Sequence, residues 1–411
     1  MSENTPAELY DVVVFGATGF TGKLVAEYLF KKYGVEQNLR WAIAGRSESK
    51  LQATRQFIAS DKLPYIVVDS TDKSAIDDLV QSTKVVCTTV GPYAKYGSSL
   101  VASCVTHGVD YCDLSGEVQW MRKMIDLYHE KAIETGARIV HSCGFDSIPS
   151  DMGVFFLQEE VKKRIGGYAK HVKFRVKAMK GGFSGGTYAS LTNVLKEAEE
   201  DKSIFITLLD PYGLNPKGQR QGDDNLDFQK VIFDKDLKQW IAPFVMATIN
   251  TKNVRRSHAL SSYKYGRHFR YDEAVITGPG LGGRIKGIGM TAALGAMMAG
   301  KPGSMYRKLV DRFLPDPGEG PNAADREAGF FNILLLGLMQ DDSIITAQVK
   351  GDRDPGYGST SKMLGESAVC LALDRDKTNL EGGVTTPSIA MGNVLLQRLQ
   401  DNAGLTFTIK D

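Results

Sequence analysis

The chain has 411 residues, enough for two or three domains with a sizeable hydrophobic core. Its 50 Lys and Arg against 48 Asp and Glu leave a formal net charge of +2, which argues against a nucleic-acid partner. The five cysteines contain no Cys-x-x-Cys pair, no secretory leader is recognisable and the histidines lack zinc-type spacing. We therefore expect a reduced, cytoplasmic protein without a metal site.

The first patterned segment is typical of a dinucleotide-binding crossover. A buried strand, Val12 to Phe15, leads into Gly16, Gly19 and Gly22 and then into a helical pattern from Thr21 to Lys32. The first glycine permits a sharp turn, the second lets the backbone approach a pyrophosphate, and the third lets the helix pack closely on the strand. Because a helix N-terminus favours anions, we predict cofactor contacts from Gly16, Thr18, Gly19, Phe20, Thr21 and Gly22.

The end of the second strand indicates which dinucleotide is bound. The strand Leu39 to Ala44 is followed by Arg46 and Ser47, with Lys50 one helical turn further. An NAD site usually places Asp or Glu near this point, to hold the ribose 2′-hydroxyl. A guanidinium instead matches a 2′-phosphate through forked hydrogen bonds. The three side chains therefore predict NADP(H), although a solvated arginine at a strand end is the simpler alternative.

The next two parallel strands are expected to contact the rest of the cofactor. The third strand ends in Asp69 and Ser70, at the edge where adenine rests in a doubly wound sheet. The fourth opens into Gly91, Pro92 and Tyr93, which should lie beside the nicotinamide ribose. Tyr93 is our first candidate for a hydroxyl facing the substrate, and a packing aromatic is an equally good interpretation.

Strands and helices alternate over residues 1–150, which predicts an α/β Rossmann domain with a doubly wound parallel sheet. Beyond it, a half-buried strand from Ala169 to Met179 and a hairpin formed by Phe330–Gln340 and Ile344–Lys350 predict a second, mixed α+β domain over residues 151–355. Between them, the polar segment from Asp201 to Gln239 is predicted to be a long irregular insertion.

A basic and aromatic segment runs from Lys252 to Tyr271. One interpretation is that Arg255, Arg256, Arg267 and Arg270 dock an acidic carrier protein or the phosphate of its pantetheine arm. The other, which we favour, is a solvated strand face whose arginines are paired locally.

An apolar segment from Gly287 to Gly300 is shorter than the ~20 residues that span a bilayer. Its methionines and leucine recur at helical spacing. This pattern favours a core helix over a helix within 281–300 that contacts lipid or lines an apolar tunnel.

Several blocks in order resemble the saccharopine dehydrogenase-like family, and within it the branch of trans-acting enoyl reductases. The blocks are Gly16-Ala-Thr-Gly-Phe-Thr-Gly22, Thr89-Val-Gly-Pro-Tyr93, Tyr111-Cys-Asp-Leu-Ser-Gly-Glu117, His141-Ser-Cys-Gly-Phe-Asp-Ser-Ile-Pro-Ser-Asp151, Gly181-Gly-Phe-Ser-Gly-Gly-Thr187, Asp354-Pro-Gly-Tyr357 and Gly382-Gly-Val-Thr-Thr-Pro387. They cover the chain nearly end to end. True saccharopine reductases carry Gly-x-Asp-Pro-Gly where this chain has Gly144-Phe-Asp-Ser-Ile148, which speaks against an amino-acid substrate.

The resemblance implies an NADP-type Rossmann domain, a mixed α+β domain and C-terminal helices, over residues 356–411, that return to the first domain. It also implies reduction of carrier-bound lipid or polyketide-type acyl intermediates, as in glycolipid biosynthesis, with an acyl-carrier protein as partner. Animal relatives associate with membranes and lipid droplets, so a peripheral position on such a surface is also expected. A homodimer is the reasonable prior for the oligomeric state.

Enoyl reduction needs hydrogen-bond donors at the thioester oxygen and a proton for the α-carbon. Three loops are expected to converge on such a substrate: Tyr93 with Tyr96, the turn Asp146–Ser147, and Ser184 with Thr187. We hypothesise that Tyr93 is the proton donor and that Ser147 stabilises the oxyanion with backbone N–H groups. Asp146 is expected to cap or support the junction between the two domains.

Two other functions remain open at the level of the sequence. One is a saccharopine-type imine reductase of amino-acid adducts, which would need a cluster of arginines around a small carboxylate pocket. The other is a non-catalytic, membrane-associated nucleotide-binding protein, since a dinucleotide fingerprint indicates binding and not turnover.

Overall fold

The computed structural model describes residues 9–35, 37–181, 185–299, 304, 306, 320–378 and 381–410, with the backbone alone for 185–189, 191, 195 and 298. The strands are β1 Tyr10–Phe15, β2 Trp41–Gly45, β3 Tyr65–Val67, β4 Thr83–Thr88, β5 Asp110–Cys112, β6 Arg138–Val140, β7 His171–Lys180, β8 Ile232–Asp234, β9 Gln239–Ala242, β10 Arg270–Gly278, β11 Phe330–Leu338, β12 Ile344–Gly351, β13 Gly383–Thr385 and β14 Leu405–Lys410.

The helices follow the same chain order. They are α1 Phe20–Tyr33, α2 Glu48–Phe57, α3 Lys73–Gln81, α4 Tyr93–Tyr96, α5 Ser98–His107, α6 Val118–Thr135, α7 Ile148–Ile165, α8 Gly185–Glu200, α9 Lys202–Leu209, α10 Ala247–Leu260, α11 Gly280–Met298, α12 Ala323–Glu327, α13 Thr360–Leu373 and α14 Pro387–Asp401.

The first sheet is parallel in all its described pairs, in the order β13-β6-β5-β4-β1-β2-β3. β1 is central, and alternate residues of this strand enter opposite cores because successive side chains of a strand point to opposite faces. Val12 and Val14 pack in the cluster that includes α1 and α13, whereas Val13 and Phe15 pack in the cluster that includes α3, α5 and α6. Burial on both faces explains the continuous apolar run of β1.

The second sheet has the order β14-β12-β11-β7-β10-β9-β8 and mixes parallel and antiparallel pairs. β7 and β10 are parallel, whereas β11 and β12 form the predicted antiparallel hairpin. Helix α7 packs against β11, β12 and β14 and so begins the second domain on the apolar face of this sheet. The α/β Rossmann fold with a second, mixed domain is therefore confirmed.

The C-terminal segment returns to the first domain as predicted and also builds into both sheets. Helix α13 packs on α1, β1, β4 and β5, and α14 packs on α7. β13 pairs with β6 in the first sheet, and β14 pairs with β12 in the second. These two short edge strands were missed because their pairing partners lie far away in the sequence.

Three predicted segments differ from the structure. Within residues 201–239, the predicted irregular insertion contains α9 and β8. The basic segment 252–271 is not a solvated strand face, since its first nine residues, 252–260, belong to α10, which is buried along nearly its whole length. Residues 287–298 of the apolar segment form the second half of α11, which lies on the surface and not in the core, whereas residue 300 lies outside the described residues. In the part of the chain that is described, no helix is long and apolar enough to cross a membrane.

Candidate functional site

The turn between β1 and α1 places two of its three glycines where a side chain would collide. A Cβ on Gly16, whose φ is +91°, would lie 2.7 Å from Val90 Cγ2, and one on Gly22 would lie 2.2 Å from the Gly16 carbonyl oxygen. Gly19 is the N-cap of α1 without a capping side chain, and the first turn of this helix carries no acidic residue. The amide groups and the positive dipole end of α1 are therefore open to a pyrophosphate.

A cleft of ≈ 400 Å³ lies directly beside this turn. It is lined by Thr18, Gly19, Phe20, Lys23, Arg46, Ser47 and Lys50. Three of these side chains are cations and none is a carboxylate, so the cleft favours a phosphate group. Ser47 is the N-cap of α2 and accepts a hydrogen bond from the Lys50 N–H, at 3.4 Å. Six of the seven lining residues were predicted from the sequence as cofactor contacts: Thr18, Gly19, Phe20, Arg46, Ser47 and Lys50.

Lys23 is the lining residue that the sequence analysis missed. It lies one residue beyond Gly22, in the first turn of α1. Its position immediately after the third glycine could have indicated this role, since a cation there lies close to a phosphate bound at the turn.

The expected adenine contacts lie at the carboxyl end of β3. Asp69 is exposed, and its carboxylate accepts hydrogen bonds from the Thr71 N–H at 2.9 Å and the Thr71 hydroxyl at 2.8 Å. These bonds, and to a smaller degree Arg46, lower the pKa of Asp69. Ser70 is half-buried beside it. Their role in cofactor binding stays a prediction.

The two predicted residues at the start of α1, Phe20 and Thr21, differ in their surroundings. The Phe20 ring packs edge-on against Tyr357, with centroids 4.6 Å apart, and Arg326 lies over its other side at 5.5 Å. Phe20 therefore connects the phosphate turn to the segments beyond β10. Thr21 is half-buried in the first turn of α1.

The loop after β4 carries Gly91, which is exposed, and Pro92, which is half-buried and caps α4. The N-terminus of α4 is occupied by a carboxylate of the chain itself. Glu117 accepts the N–H groups of Tyr93 at 2.8 Å and Ala94 at 2.9 Å, as well as the Ser190 hydroxyl at 2.9 Å. These two N–H groups at the start of α4 thus already have an acceptor within the chain.

Tyr93 lies in the core, with 5% of its surface exposed, and its ring stacks on Trp120 at 5.5 Å. Its hydroxyl donates to the Thr88 carbonyl at 3.4 Å and accepts the Leu114 N–H at 3.2 Å. Burial raises the pKa of this hydroxyl well above its usual value, and the charge of Asp113 adds to the effect. The environment suits the packing role that was left as an alternative, and the proton-donor role stays a prediction.

Ser147 is fully buried at the start of α7. Its hydroxyl accepts a hydrogen bond from Asn253 Nδ2 at 2.6 Å and donates to Asn250 Oδ1 at 3.3 Å, both on α10. The Asn250 amide in turn donates to Glu273 at 3.0 Å. Ser147 thus joins the two domains through α10, and its role as an oxyanion partner stays a prediction.

The predicted loops are only partly brought together. Tyr93 and Ser147 follow β4 and β6 of one sheet, but their hydroxyls belong to separate hydrogen-bond networks. Tyr96 is exposed in α4. Ser184 lies outside the described residues, and Thr187 belongs to the backbone-only part of α8.

Two of the four arginines of the basic segment are buried, whereas Arg267 is exposed and Arg270 is half-buried. Arg255 is 3% exposed; it forms an ion pair with Asp224 at 2.6 Å and donates to the Tyr271 carbonyl at 3.0 Å. Arg256 is 1% exposed and donates to the carbonyls of Leu214 and Val384, the first at 2.5 Å. The docking interpretation is therefore wrong for these two residues, because both guanidinium groups are buried and bonded to other parts of the chain.

Comparison with known proteins agrees with this geometry. The model of the saccharopine dehydrogenase NADP-binding domain matches residues 12–140. A putative trans-acting enoyl reductase of Mycobacterium tuberculosis is 41% identical over 408 residues, 96% of each chain. A trans-acting enoyl reductase of Mycobacterium ulcerans is 36% identical over 404 residues, 95% of each chain.

Among solved structures, the apo form of the L-Glu-forming saccharopine dehydrogenase of Saccharomyces cerevisiae superposes with a TM-score of 0.51. The alignment covers 97% of this chain and 99% of the yeast chain at 14% sequence identity. At that identity the likeness establishes the fold alone.

Proposed function

The chain belongs to the trans-acting enoyl reductase branch of the saccharopine dehydrogenase-like family, and on that premise we propose that it reduces the double bond of enoyl thioesters. It is an NADP-dependent oxidoreductase, because its first domain matches the NADP-binding domain of the family. The proposal of enoyl reduction rests on the identity of 36–41%, over nearly the full length, to proteins named trans-acting enoyl reductases.

The residues of the cleft fit NADPH, which supplies the hydride when bound. Lys23, Arg46 and Lys50 would hold the 2′-phosphate, and the first turn of α1 would hold the pyrophosphate. Ser47 would add a hydroxyl donor. The absence of a carboxylate from this cleft supports the phosphorylated cofactor over NADH.

The reaction is tested by following NADPH absorbance with the full-length protein and a series of 2-enoyl thioesters of increasing chain length. We expect oxidation of NADPH with the enoyl thioesters and none with the matched saturated thioesters. A set of cyclic and acyclic imines serves as the comparison for the amino-acid reductase alternative. NADPH binding without turnover of any enoyl thioester would contradict the proposal.

We further propose that the acyl chain is of lipid or polyketide type and arrives on a carrier protein. The word "trans-acting" in the names of the relatives supports a substrate delivered by a separate protein. The test compares kcat/KM for one enoyl group attached to an acyl-carrier protein and to N-acetylcysteamine. We expect the carrier-bound form to be preferred, and equal values would remove the carrier as a partner.

The surface of α11 supports a peripheral position on an anionic membrane or lipid surface. Its outward side chains Leu281, Ile285 and Ile288 are 70%, 61% and 53% exposed. Arg284 and Lys286 are exposed on the same helix, which contains no acidic residue. An apolar face with basic neighbours is typical of helices that lie in the membrane interface.

Membrane binding is tested by flotation with anionic and with neutral vesicles. The variant Ile285→Asp with Ile288→Asp should lose binding to anionic vesicles and keep its affinity for NADPH. If α11 is instead the contact of a homodimer, the same variant would convert a dimer into a monomer in sedimentation velocity without any change in flotation.

A further inference from the structure

The loop between β6 and α7 carries a carboxyl group that the proposed reaction has not yet used. Asp146 lies in this loop, at the carboxyl edge of the parallel sheet. β6 is the neighbour of β5, and the loop after β5 brings Gly116 close to Asp146: a Cβ on this glycine would lie 3.8 Å from Asp146 Oδ2. Ligands of doubly wound sheets bind at this edge.

The residues around Asp146 hold its backbone in place. The Phe145 N–H donates to Thr360 Oγ1 at 3.1 Å, and the Ile148 N–H donates to the Gly144 carbonyl at 2.9 Å. Ser147 is fixed by two asparagines of α10. The loop is thus attached to α10 and α13, and the position of the Asp146 carboxyl is set by the whole fold and not by its own contacts.

Asp146 differs from the buried carboxylates near it in having no hydrogen bond to any residue that the structure describes. Asp113 accepts bonds from the Tyr111 hydroxyl, the N–H groups of Ser115 and Ser142 and the His141 ring, at 2.7 to 3.0 Å. Glu117 and Asp151 are each bonded to several donors as well. Asp146 is half-buried, and within the described ranges no residue forms a hydrogen bond or an ion pair with it. A carboxyl group that is held in place and has no partner among the described residues can bond to a ligand.

The electrostatic surroundings favour the protonated acid. Burial raises the pKa of Asp146 to about 7, and the negative charge of Asp113, which faces it from the loop after β5, adds to the effect. A general acid works best when its pKa is close to the working pH.

We propose that Asp146 is the proton donor to the α-carbon of the enoyl thioester. This inference rests on the proposed function. Hydride addition to the β-carbon breaks the π bond and leaves the electron pair on the enolate of the thioester. The O–H bond of Asp146 then breaks as the α-carbon–hydrogen bond forms, and the thioester carbonyl is restored. The Asp146 carboxylate regains a proton from water through the exposed part of its side chain, so the product is the saturated thioester.

The test replaces Asp146 with asparagine, which keeps the size of the side chain and removes the acid. We expect Asp146→Asn to lower kcat by about 10²-fold or more and to keep the wild-type affinity for NADPH in a fluorescence titration. The fall of wild-type kcat above about pH 7 should disappear in the variant. Infrared titration of the protein without ligands gives a readout independent of turnover. In a Glu273→Gln background, which removes the other carboxyl group with a pKa of about 7, a carboxyl band that titrates near pH 7 should be lost when Asp146→Asn is added.

Asp61→Asn is the matched control, because Asp61 is an exposed carboxylate before β3, away from this edge. It should leave kcat and its pH profile unchanged. Asp146→Glu covers the case in which the asparagine variant does not fold. Because this variant retains a carboxylic acid, its kcat should still fall at high pH, but at a pH different from that of the wild type.

Three outcomes would overturn the inference. If the wild type reduces enoyl thioesters and the Asp146→Asn variant is equally active, another group donates the proton. The same conclusion follows if kcat of the Asp146→Glu variant falls at the same pH as kcat of the wild type. Both outcomes leave the proposed function intact. Absence of turnover in the wild type with every enoyl thioester would remove the proposed function, and this inference with it.

Discussion

At the scale of single residues, cofactor preference depends on side chains contributed by two different elements. Lys23 comes from α1, whereas Arg46 and Lys50 come from the end of β2 and from α2. The strand-end arginine was visible in the sequence because the acidic residue of an NAD site is absent there. The lysine of α1 was not identified, although it directly follows the third glycine of the phosphate turn, where a cation lies close to a bound phosphate.

The first prediction concerns this cleft. Arg46→Ala should weaken NADPH binding by about 10- to 100-fold, since a hydrogen bond to a charged group contributes about 1.5–3 kcal/mol, and should change NADH binding little. Fluorescence titration of both cofactors measures the effect. Lys62→Ala, which removes an exposed cation outside the cleft, is the control. Tighter binding of NADH than of NADPH by the wild type would refute the assignment of the cleft.

The second prediction concerns a buried carboxyl group in the second domain. Glu273 is 2% exposed and accepts hydrogen bonds from the Tyr271 hydroxyl at 2.6 Å and from Asn250 at 3.0 Å. Burial raises the pKa of Glu273 to about 7. Because its folded pKa lies above its unfolded pKa of about 4.3, its contribution to stability is full below that value and is lost as the pH rises through about 7.

Glu273→Gln cannot titrate, so its free energy of unfolding relative to wild type should increase between about pH 4 and about pH 8. Urea unfolding of both proteins at several pH values in this window measures the difference. A difference that does not change with pH would show that the carboxyl group ionises normally in the folded protein.

At the scale of elements, the turn between β1 and α1 depends on the absence of side chains. A Cβ on Gly22 would meet backbone atoms, the Gly16 carbonyl oxygen at 2.2 Å and Ala17 Cα at 2.8 Å, and the backbone cannot move aside as a flexible side chain would. The sequence assigned this glycine to helix–strand packing, and the structure supplies the contact that requires it.

Gly22→Ala should therefore displace α1, with a loss of at least about 1–3 kcal/mol in stability and a loss of NADPH binding. Gly289→Ala is the matched control, because this glycine lies in a helix too, α11, and a Cβ there would have no heavy atom within 4 Å. The control should gain up to about 1 kcal/mol from the higher helix propensity of alanine. Thermal unfolding and NADPH titration of both variants measure the two effects, and a Gly22→Ala protein that binds NADPH normally would contradict the expectation.

At the scale of the whole molecule, a few buried side chains connect segments that are distant in the sequence. Asp151, at the start of α7, accepts the Ser388 N–H at 2.7 Å and the Ser388 hydroxyl at 2.9 Å, and it also accepts the Ser257 hydroxyl at 2.5 Å. It therefore joins α7, α10 and α14. Arg138 connects the first sheet to the C-terminal segment in the same way, through the Leu371 carbonyl at 2.6 Å.

Asp151→Ala should destabilise both sheets together, by about 2–3 kcal/mol, because it leaves buried hydroxyl and amide donors without an acceptor. Trp41 reports on the first sheet and Trp240 on the second, so single-tryptophan versions of the protein follow each sheet separately. The denaturation midpoints of the two reporters should fall by the same amount, with Asp61→Ala as the control. A shift confined to one reporter would show that the sheets unfold independently.

The sequence by itself determined the features that depend on local pattern. The apolar run of β1, the glycine spacing after it and the cation after β2 predicted the parallel sheet, the phosphate turn and the phosphorylated cofactor, since each follows from chain geometry within a few residues. The hairpin of β11 and β12 was equally local.

Only the tertiary structure decided which side chains are accessible at the carboxyl edge of the first sheet and which are buried and hydrogen-bonded within the fold. Tyr93 and Arg255 carry the same chemical groups whether they are exposed or buried, and their partners, Thr88 and Asp224, are chosen by packing. Asp146 was predicted to be a support at a domain junction, and its lack of partners among the described residues is seen only when the loops after β5 and β6 are placed side by side. Burial and hydrogen-bond satisfaction are properties of long-range contacts, and a pattern along the chain does not contain them.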